Sequence, residues 1–282
     1  MATTKVRIDR LLVDRGLYPS RERAQAALMA GIVKVAGLRV DKAGTSVPDD
    51  AEIEIQGPDI PFVSRGGLKL EKALNEFGWD VTGARAVDLG ASTGGFTDCL
   101  LQRGAAEVVA VDVGRGQLHQ KLRNDSRVHV LEKVNARHLT LEQLPYRADF
   151  LCADVSFISI QLVLPNIACI LQPSGRGVTL IKPQFEAGRE QCRKGVVLDA
   201  AVHHLVLTRC CAALHHNALE LLQLTYSPVR GPAGNIEFLA GFAPLSDNRR
   251  ESTKSLTTHE QALIDRTVTE AHHALLPTRH VL

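Results

Sequence analysis

Nowhere in its 282 residues does the chain run through about 18 consecutive apolar side chains, and its first residues, MATTKVRIDR, carry charge with no apolar segment behind them. Neither a membrane-spanning nor a secreted protein is expected, and the cytoplasm is the expected location. The six cysteines, Cys99, Cys152, Cys169, Cys192, Cys210 and Cys211, show no C-x-x-C spacing. They read as reduced thiols, three of them (Cys99, Cys152, Cys169) inside apolar patterns where a thiol acts as a small hydrophobe. Internal repeats are lacking. So are the two phosphate-cradling loops, since no Gly-x-Gly-x-x-Gly and no Gly-Lys-Ser/Thr follows an apolar run. Net charge is only +2. With 45% hydrophobic and 23% charged residues, the chain can bury one full core and has room for a second small domain.

What is present centres on VDLGASTGGFTDCLL, residues 87–101, followed by VVAVDVGRGQL at 108–118. An apolar run ends in Asp88, a turn carries Gly90, Gly94 and Gly95, a helical apolar pattern follows, and a second apolar run ends at Asp112. This is a βαβ unit with a nucleoside site at its carboxyl edge. A carboxylate about 20 residues beyond such a turn takes the hydroxyls of a ribose. A ribose site without a phosphate loop points to S-adenosylmethionine. Gly90, Ala91, Ser92 and Gly94 are expected at its methionine end, Asp112 at its ribose, and Asn135 and Ala136 at its adenine, with Thr93, Gly95, Phe96 and Val113 also in the cofactor site. Asp154 is expected to touch the sulfonium end.

The charge is unevenly spread. Among the first 42 residues Lys5, Arg7, Arg10, Arg15, Arg21, Arg23, Lys34, Arg39 and Lys42 face only Asp9, Asp14, Glu22 and Asp41. Such a local excess is a polyanion footprint. Two short helical patterns lie there, RIDRLLVDRG and SRERAQAALMAG, each closing on a glycine, and IVKVAG, LRV and AEIEI then alternate as strands. The order RIDRLL, SRERAQ, AGIVKVAG resembles the alpha-L RNA-binding module of a small-subunit ribosomal protein, bacterial tyrosyl-tRNA synthetase and pseudouridine synthases. The resemblance implies an RNA partner, with Arg7, Arg10, Arg21, Arg23 and Lys34, joined by Arg65 beyond the module, as phosphate contacts.

Residues 1–58 are therefore read as an RNA-binding domain, 59–63 as a linker, 64–245 as a doubly wound, mostly parallel α/β domain, and 246–282 as a polar tail with a terminal helix from about His259. Strands are expected near 86–89, 107–112, 128–132, 149–153, 177–182, 219–225 and 236–242, and a helix from about Leu68 to Gly78. Asp154 and Lys182 end two of the strands, Glu237 starts the last, and Lys69 comes from the helix. If the last strand runs antiparallel, two lysines and two carboxylates meet at one sheet edge. The pairs His203/His204 and His215/His216 are expected on a helix surface, with no metal. Phe157 and Ile158 are expected in the core.

This constellation resembles the Lys-Asp-Lys-Glu tetrad of FtsJ-like RNA ribose 2'-O-methyltransferases. The blocks VSRGGLKLEKAL, DLGASTGGFTD, VDVGRGQL, VNAR, ADVSFIS, IKPQFE and GPAGNIEF occur in the order and spacing of the TlyA (hemolysin A) family. The resemblance spans residues 6 to about 243. It implies methylation of cytidine 2'-hydroxyls in ribosomal RNA, with Lys69, Asp154, Lys182 and Glu237 as the tetrad. Because a lysine near other cations and partly desolvated can have a depressed pKa, Lys182 is the group expected to orient the hydroxyl and draw off its proton. Ile60-Pro61-Phe62 departs from the family, which in some members has a basic residue and a tryptophan there. Two other readings stay open: a non-catalytic RNA-binding ribosome assembly factor, and a membrane-active hemolysin, for which no insertion segment is seen. A monomer is expected.

Overall fold

The computed structural model describes residues 4–55, 60–231, 233–245 and 256–276. At the amino terminus β1 (Lys5–Arg7) runs directly into α1 (Ile8–Asp14), and α2 (Arg21–Ala30) begins where the Ser20 hydroxyl accepts from the Arg23 amide. Gly31 ends α2 at φ 69°, a left-handed turn that a residue without Cβ adopts freely. The short strands β2 (Val33–Val35), β3 (Leu38–Arg39), β4 (Ser46–Pro48) and β5 (Ile53–Ile55) follow. They make an antiparallel sheet in the order β3-β2-β5 and a two-stranded pair, β1 with β4. Ile8, Leu12, Ala24, Leu28 and Val33 close a small core of their own.

The second unit opens with α3 (Gly66–Phe77), capped by Gly78, and alternates through β6 (Arg85–Leu89), α4 (Gly95–Gln102), β7 (Glu107–Asp112), α5 (Gln120–Arg123) and β8 (Val128–Glu132). Then come β9 (Ala148–Ala153), α6 (Leu164–Ile170), β10 (Leu171–Ile181), α7 (Pro183–Glu186), α8 (Ala200–His216), β11 (Leu219–Tyr226), β12 (Phe238–Pro244) and α9 (Thr258–Leu275). The seven strands lie in the order β11-β12-β10-β9-β6-β7-β8. β12 is antiparallel to both neighbours, and the pairs from β10 to β8 are parallel.

Side chains along the central strands alternate between two cores, as a period of two requires. Ala86, Val108, Ala110, Phe150 and Cys152 pack with α3 and α4, whereas Val87, Leu89, Val109, Val111, Leu151 and Ala153 pack with α6, α8 and α9. The doubly wound reading is thus the observed fold. Ile60, Phe62 and Val63, placed by sequence in a linker, are buried in the α3–α4 core, and the Val63 amide donates to Asp98 at 2.8 Å.

The terminal helix forms at the expected place. Thr257 and Glu260 cap it reciprocally, a capping box that SLTTHEQ encodes. The expected surface histidines are only half so. His203 and His215 are buried, because α9 covers α8: His203 Nδ1 lies 2.8 Å from His272 Nε2, and His215 Nε2 lies 2.7 Å from Glu260 Oε1. Burial and the His272 ring push His203 down to about 4. The polar stretch 246–255 lies outside the described residues.

Candidate active site

Strand β6 ends at the switch point between β7 and β9, where an open sheet leaves a crevice at its carboxyl edge. The chain turns there through Gly90 at φ 81°, and a Cβ on Gly90 would lie 2.5 Å from the Asp154 carbonyl oxygen. Glycine is required at this position by both conformation and space. Ser92 also adopts positive φ, 50°, and its amide donates to Asp112 Oδ2 at 2.7 Å, while the Gly114 amide donates to Oδ1 at 2.7 Å. Asp112 therefore fixes both loops that face the crevice and keeps lone pairs for hydroxyl donors.

Two cavities share Gly90, Ser92, Asp154 and Ser156. The larger, about 510 Å³, is lined by Asp112, Val113, Asn135, Ala136, Phe157 and Ile158 among others. The Asn135 side chain accepts from the Arg137 amide and so fixes the turn under this cavity. The smaller, about 330 Å³, has Lys69, Asp88, Ala91, Thr93, Gly95, Phe96, Lys182 and Glu237 in its wall. Gly94, also expected there, lines neither of the two: it caps α4 at φ 97° and faces Leu118 and Leu122.

The four polar residues predicted to meet do so. Lys69, on the first turn of α3, places Nζ 2.6 Å from Glu237 Oε2 and 3.6 Å from Asp154 Oδ2. Lys182, just past β10, places Nζ 2.5 Å from Asp154 Oδ1 and donates to Ser156 Oγ at 2.6 Å. Glu237 reaches the group because β12 is antiparallel, with Phe238 opposite Ile181. The buried Asn235 holds its approach, accepting from the Val197 amide and donating to the Gly195 carbonyl. Burial pulls Lys69 down, but Asp154 and Glu237 outweigh it and hold its pKa above the ordinary lysine value. Asp154 is likewise pushed up by burial and drawn further down by the two lysines, below the usual carboxylate range.

Three features had no place in the sequence reading. Asp88 is fully buried and accepts from the Thr97 hydroxyl at 2.6 Å, leaving Oδ1 with no hydrogen-bond partner in the wall of the smaller cavity. Burial raises it to about 7. Ser156 partners Lys182. Phe157, expected in the core, is 92% exposed at φ 63°, its ring 5.3 Å from that of Phe185 beside Lys182. Ile158 alone packs on the core. The left-handed backbone at Phe157 turns its ring outward, and nothing in SFIS signals that.

The expected RNA contacts divide. Arg10 is exposed and pairs with Asp14 at 3.4 Å. Arg7 and Arg21 both bind the buried Asp9, at 2.9 and 2.8 Å, and draw its pKa far below the carboxylate range. Arg23 donates to the Ile60 carbonyl at 2.5 Å, joining module to linker. Lys34 sits on β2 and Arg65 caps α3 at the edge of the smaller cavity. Among the described residues no cluster of metal-binding side chains occurs, and no helix is long and apolar enough to cross a membrane.

A doubly wound domain with a nucleoside crevice beside two lysines and two carboxylates has the form of a methyltransferase of the S-adenosylmethionine-dependent class. Residues 62–243 match the FtsJ-like methyltransferase family and residues 6–53 the S4 domain. The chain belongs to the FtsJ-like methyltransferase family, in its TlyA (hemolysin A) branch, with an S4 domain at the amino terminus. It is 43% identical over 258 residues to the 16S/23S rRNA (cytidine-2'-O)-methyltransferase TlyA of Mycobacterium tuberculosis (strain ATCC 25618 / H37Rv), covering 89% of this chain and 94% of that one. Hemolysin A of Brachyspira hyodysenteriae is 41% identical over 242 residues, 84% of this chain and 99% of the relative. A solved Streptococcus thermophilus chain that carries the hemolysin name superposes with TM-score 0.75 at 41% identity, covering 97% of this chain and 98% of that one.

Proposed function

We propose that the protein methylates the ribose 2'-hydroxyl of cytidine in ribosomal RNA, with S-adenosylmethionine as methyl donor. The convergence of Lys69, Asp154, Lys182 and Glu237 in one cavity that opens into the nucleoside crevice carries this reading. The relatives' rRNA (cytidine-2'-O)-methyltransferase activity and the S4 domain support the choice of substrate.

The residues present fit the cofactor. Asp112 takes the ribose hydroxyls, Val113, Asn135, Ala136 and Ile158 border the adenine, and the turn from Gly90 to Gly95 leaves backbone room for the methionine end. The unpartnered oxygen of Asp88 is a polar group set into the wall of the adjoining smaller cavity. Bound there, S-adenosylmethionine supplies an electrophilic methyl group.

The chain's own residues then position and deprotonate the acceptor. A ribose hydroxyl is a weak nucleophile, so holding it in line supplies much of the rate. Lys182, fixed between Asp154 and Ser156, orients that hydroxyl and, once it has released its own ammonium proton to solvent, takes the hydroxyl proton as the new C–O bond forms. Asp154, held ionised, partners the ammonium that results. Lys69, held cationic, stabilises negative charge growing on the oxygen. The exposed ring of Phe157, which packs on Phe185, the ring nearest Lys182, offers the target base a stacking surface.

Two measurements test the reading: calorimetric titration with S-adenosylmethionine, and mapping of 2'-O-methyl groups on rRNA incubated with the protein. Cofactor binding and a new cytidine 2'-O-methyl group are expected. Binding of rRNA without cofactor binding would instead favour a non-catalytic assembly factor.

A further inference from the structure

A further cavity, about 880 Å³, is lined by residues of both the S4 domain and the methyltransferase domain. Ile32 and Arg39 come to it from the S4 domain, Ile60 from the connection, and Arg65, Lys72 and Arg230 from the methyltransferase domain. Its carboxylates are engaged: Glu71 pairs with Arg103 at 3.5 Å, and Glu76 pairs with Lys72 at 3.5 Å and accepts from the Thr225 hydroxyl. Arg230 donates to the Leu275 carbonyl at the end of α9, and Lys72 lies over the Tyr226 ring.

Arg39 and Arg65 differ from these. Among the described residues neither guanidinium has a carboxylate within ion-pairing distance or a hydrogen-bond acceptor. They approach from opposite domains, close enough that their charges oppose one another. Arg65 is lowered below the ordinary arginine value by burial first and by Arg39 second. Gly31 leaves room for the Arg39 guanidinium to lie against the chain, since a Cβ there would fall 2.1 Å from its Cζ. Arg65 also feels the carboxylates of Glu237 and Asp154 from the acceptor cavity, yet neither guanidinium is ion-paired, and the two facing one half-enclosed cleft form a site for an anion with several acceptor oxygens.

Resting on the function proposed above, we propose that Arg39 and Arg65 clamp one phosphodiester of the RNA strand next to the target nucleotide, bridging the two domains. Two facts fix the ligand. Arg65 lines both this cleft and the cavity of Lys69 and Lys182, so the clamped phosphate and the reacting ribose share a wall. The cleft also has an apolar side, Ile60, Leu68 and Val229, suited to the body of a nucleotide. The S4 domain then does more than add affinity, because one of its residues sets where the strand enters the acceptor cavity.

The test uses the full chain, unmodified 16S and 23S rRNA transcripts, and filter binding over a range of salt concentrations, with Arg39→Gln, Arg65→Gln and the double variant. Each single change is expected to weaken binding about tenfold and to flatten the slope of log affinity against log salt by about one contact. The double variant should lose little beyond either single one, since both groups serve one phosphate. Arg39→Lys should fall between, keeping charge and losing the fork. S-adenosylmethionine affinity of Arg39→Gln should equal that of the wild type, which shows the domain is intact. Additive losses with two contacts removed would overturn the shared clamp, and unchanged binding and slope in Arg39→Gln would overturn the site. If the wild type itself neither binds nor methylates either transcript, the proposed function fails; if it does both while Arg39→Gln matches it, only the clamp fails.

Discussion

Lys69 Nζ and Glu237 Oε2 lie 2.6 Å apart and are both buried, although 168 positions separate them in the chain. One comes from the first turn of a helix that precedes the sheet, the other from the residue before its last strand. Breaking such a pair on one side leaves the remaining charge without a partner. Lys69→Ala is expected to cost on the order of 3–5 kcal/mol of stability, read from denaturant melts, and to abolish turnover. Glu237→Gln should cost less stability, because Lys69 keeps Asp154 at 3.6 Å. Equal melting of Lys69→Ala and wild type would remove the pair from the account of stability.

Binding and chemistry should separate at two other positions. Lys182→Ala is expected to abolish methyl transfer and leave the S-adenosylmethionine dissociation constant within a few-fold, because its partners are Asp154 and Ser156. Asp112→Ala should weaken cofactor binding by about 1–3 kcal/mol through lost charge-assisted hydrogen bonds. It also releases the Ser92 and Gly114 amides. Calorimetry with single-turnover kinetics checks both, and full turnover by Lys182→Ala would take that residue out of the mechanism.

A distinct dependence on pH follows from Asp88. Burial raises its pKa from 3.8 to about 7, so the folded protein holds a proton that the unfolded chain releases. Its contribution to stability is complete below 3.8 and is lost as pH rises through about 7. Asp88→Asn cannot titrate, so the difference in Tm between wild type and variant should move steadily against the wild type across that window and level off above it. A difference that stays constant with pH would show that Asp88 is ionised throughout.

Phe157 offers the cleanest separation of fold from function. With its ring 92% exposed, Phe157→Ala should change stability by less than about 0.5 kcal/mol. If the target base stacks on it, kcat/KM for rRNA should fall by the equivalent of about 1–3 kcal/mol. Unaltered rRNA kinetics would show that the ring serves some other purpose.

Most of the sheet was legible in the sequence because its period-two alternation and glycine punctuation are strong. Runs such as VVAVD and DFLCAD have one geometry available to them, and the strands fall within two residues of expectation except β10, which begins at Leu171, six residues early. The tetrad was legible once β12 was taken as antiparallel. The failures share one cause. Phe157 turns outward on a positive φ, and His203 and His215 are covered by a helix that arrives more than 40 residues later. The pairing of β1 with β4 likewise joins segments too short to show a period. Arg7 and Arg21 looked equivalent to Arg10, yet only the folded module shows that two of them surround Asp9.

The placement of β12 bears on how the protein is made. It is the last strand among the described residues, yet it inserts between β10 and β11, so both of those keep an open edge until residue 244 has left the ribosome. The residues named at the nucleoside crevice all precede residue 164, whereas the acceptor cavity waits for Glu237. A nascent chain thus completes its cofactor pocket well before it can act on RNA, and a message truncated ahead of β12 yields a product with an unpaired sheet and no finished catalytic group.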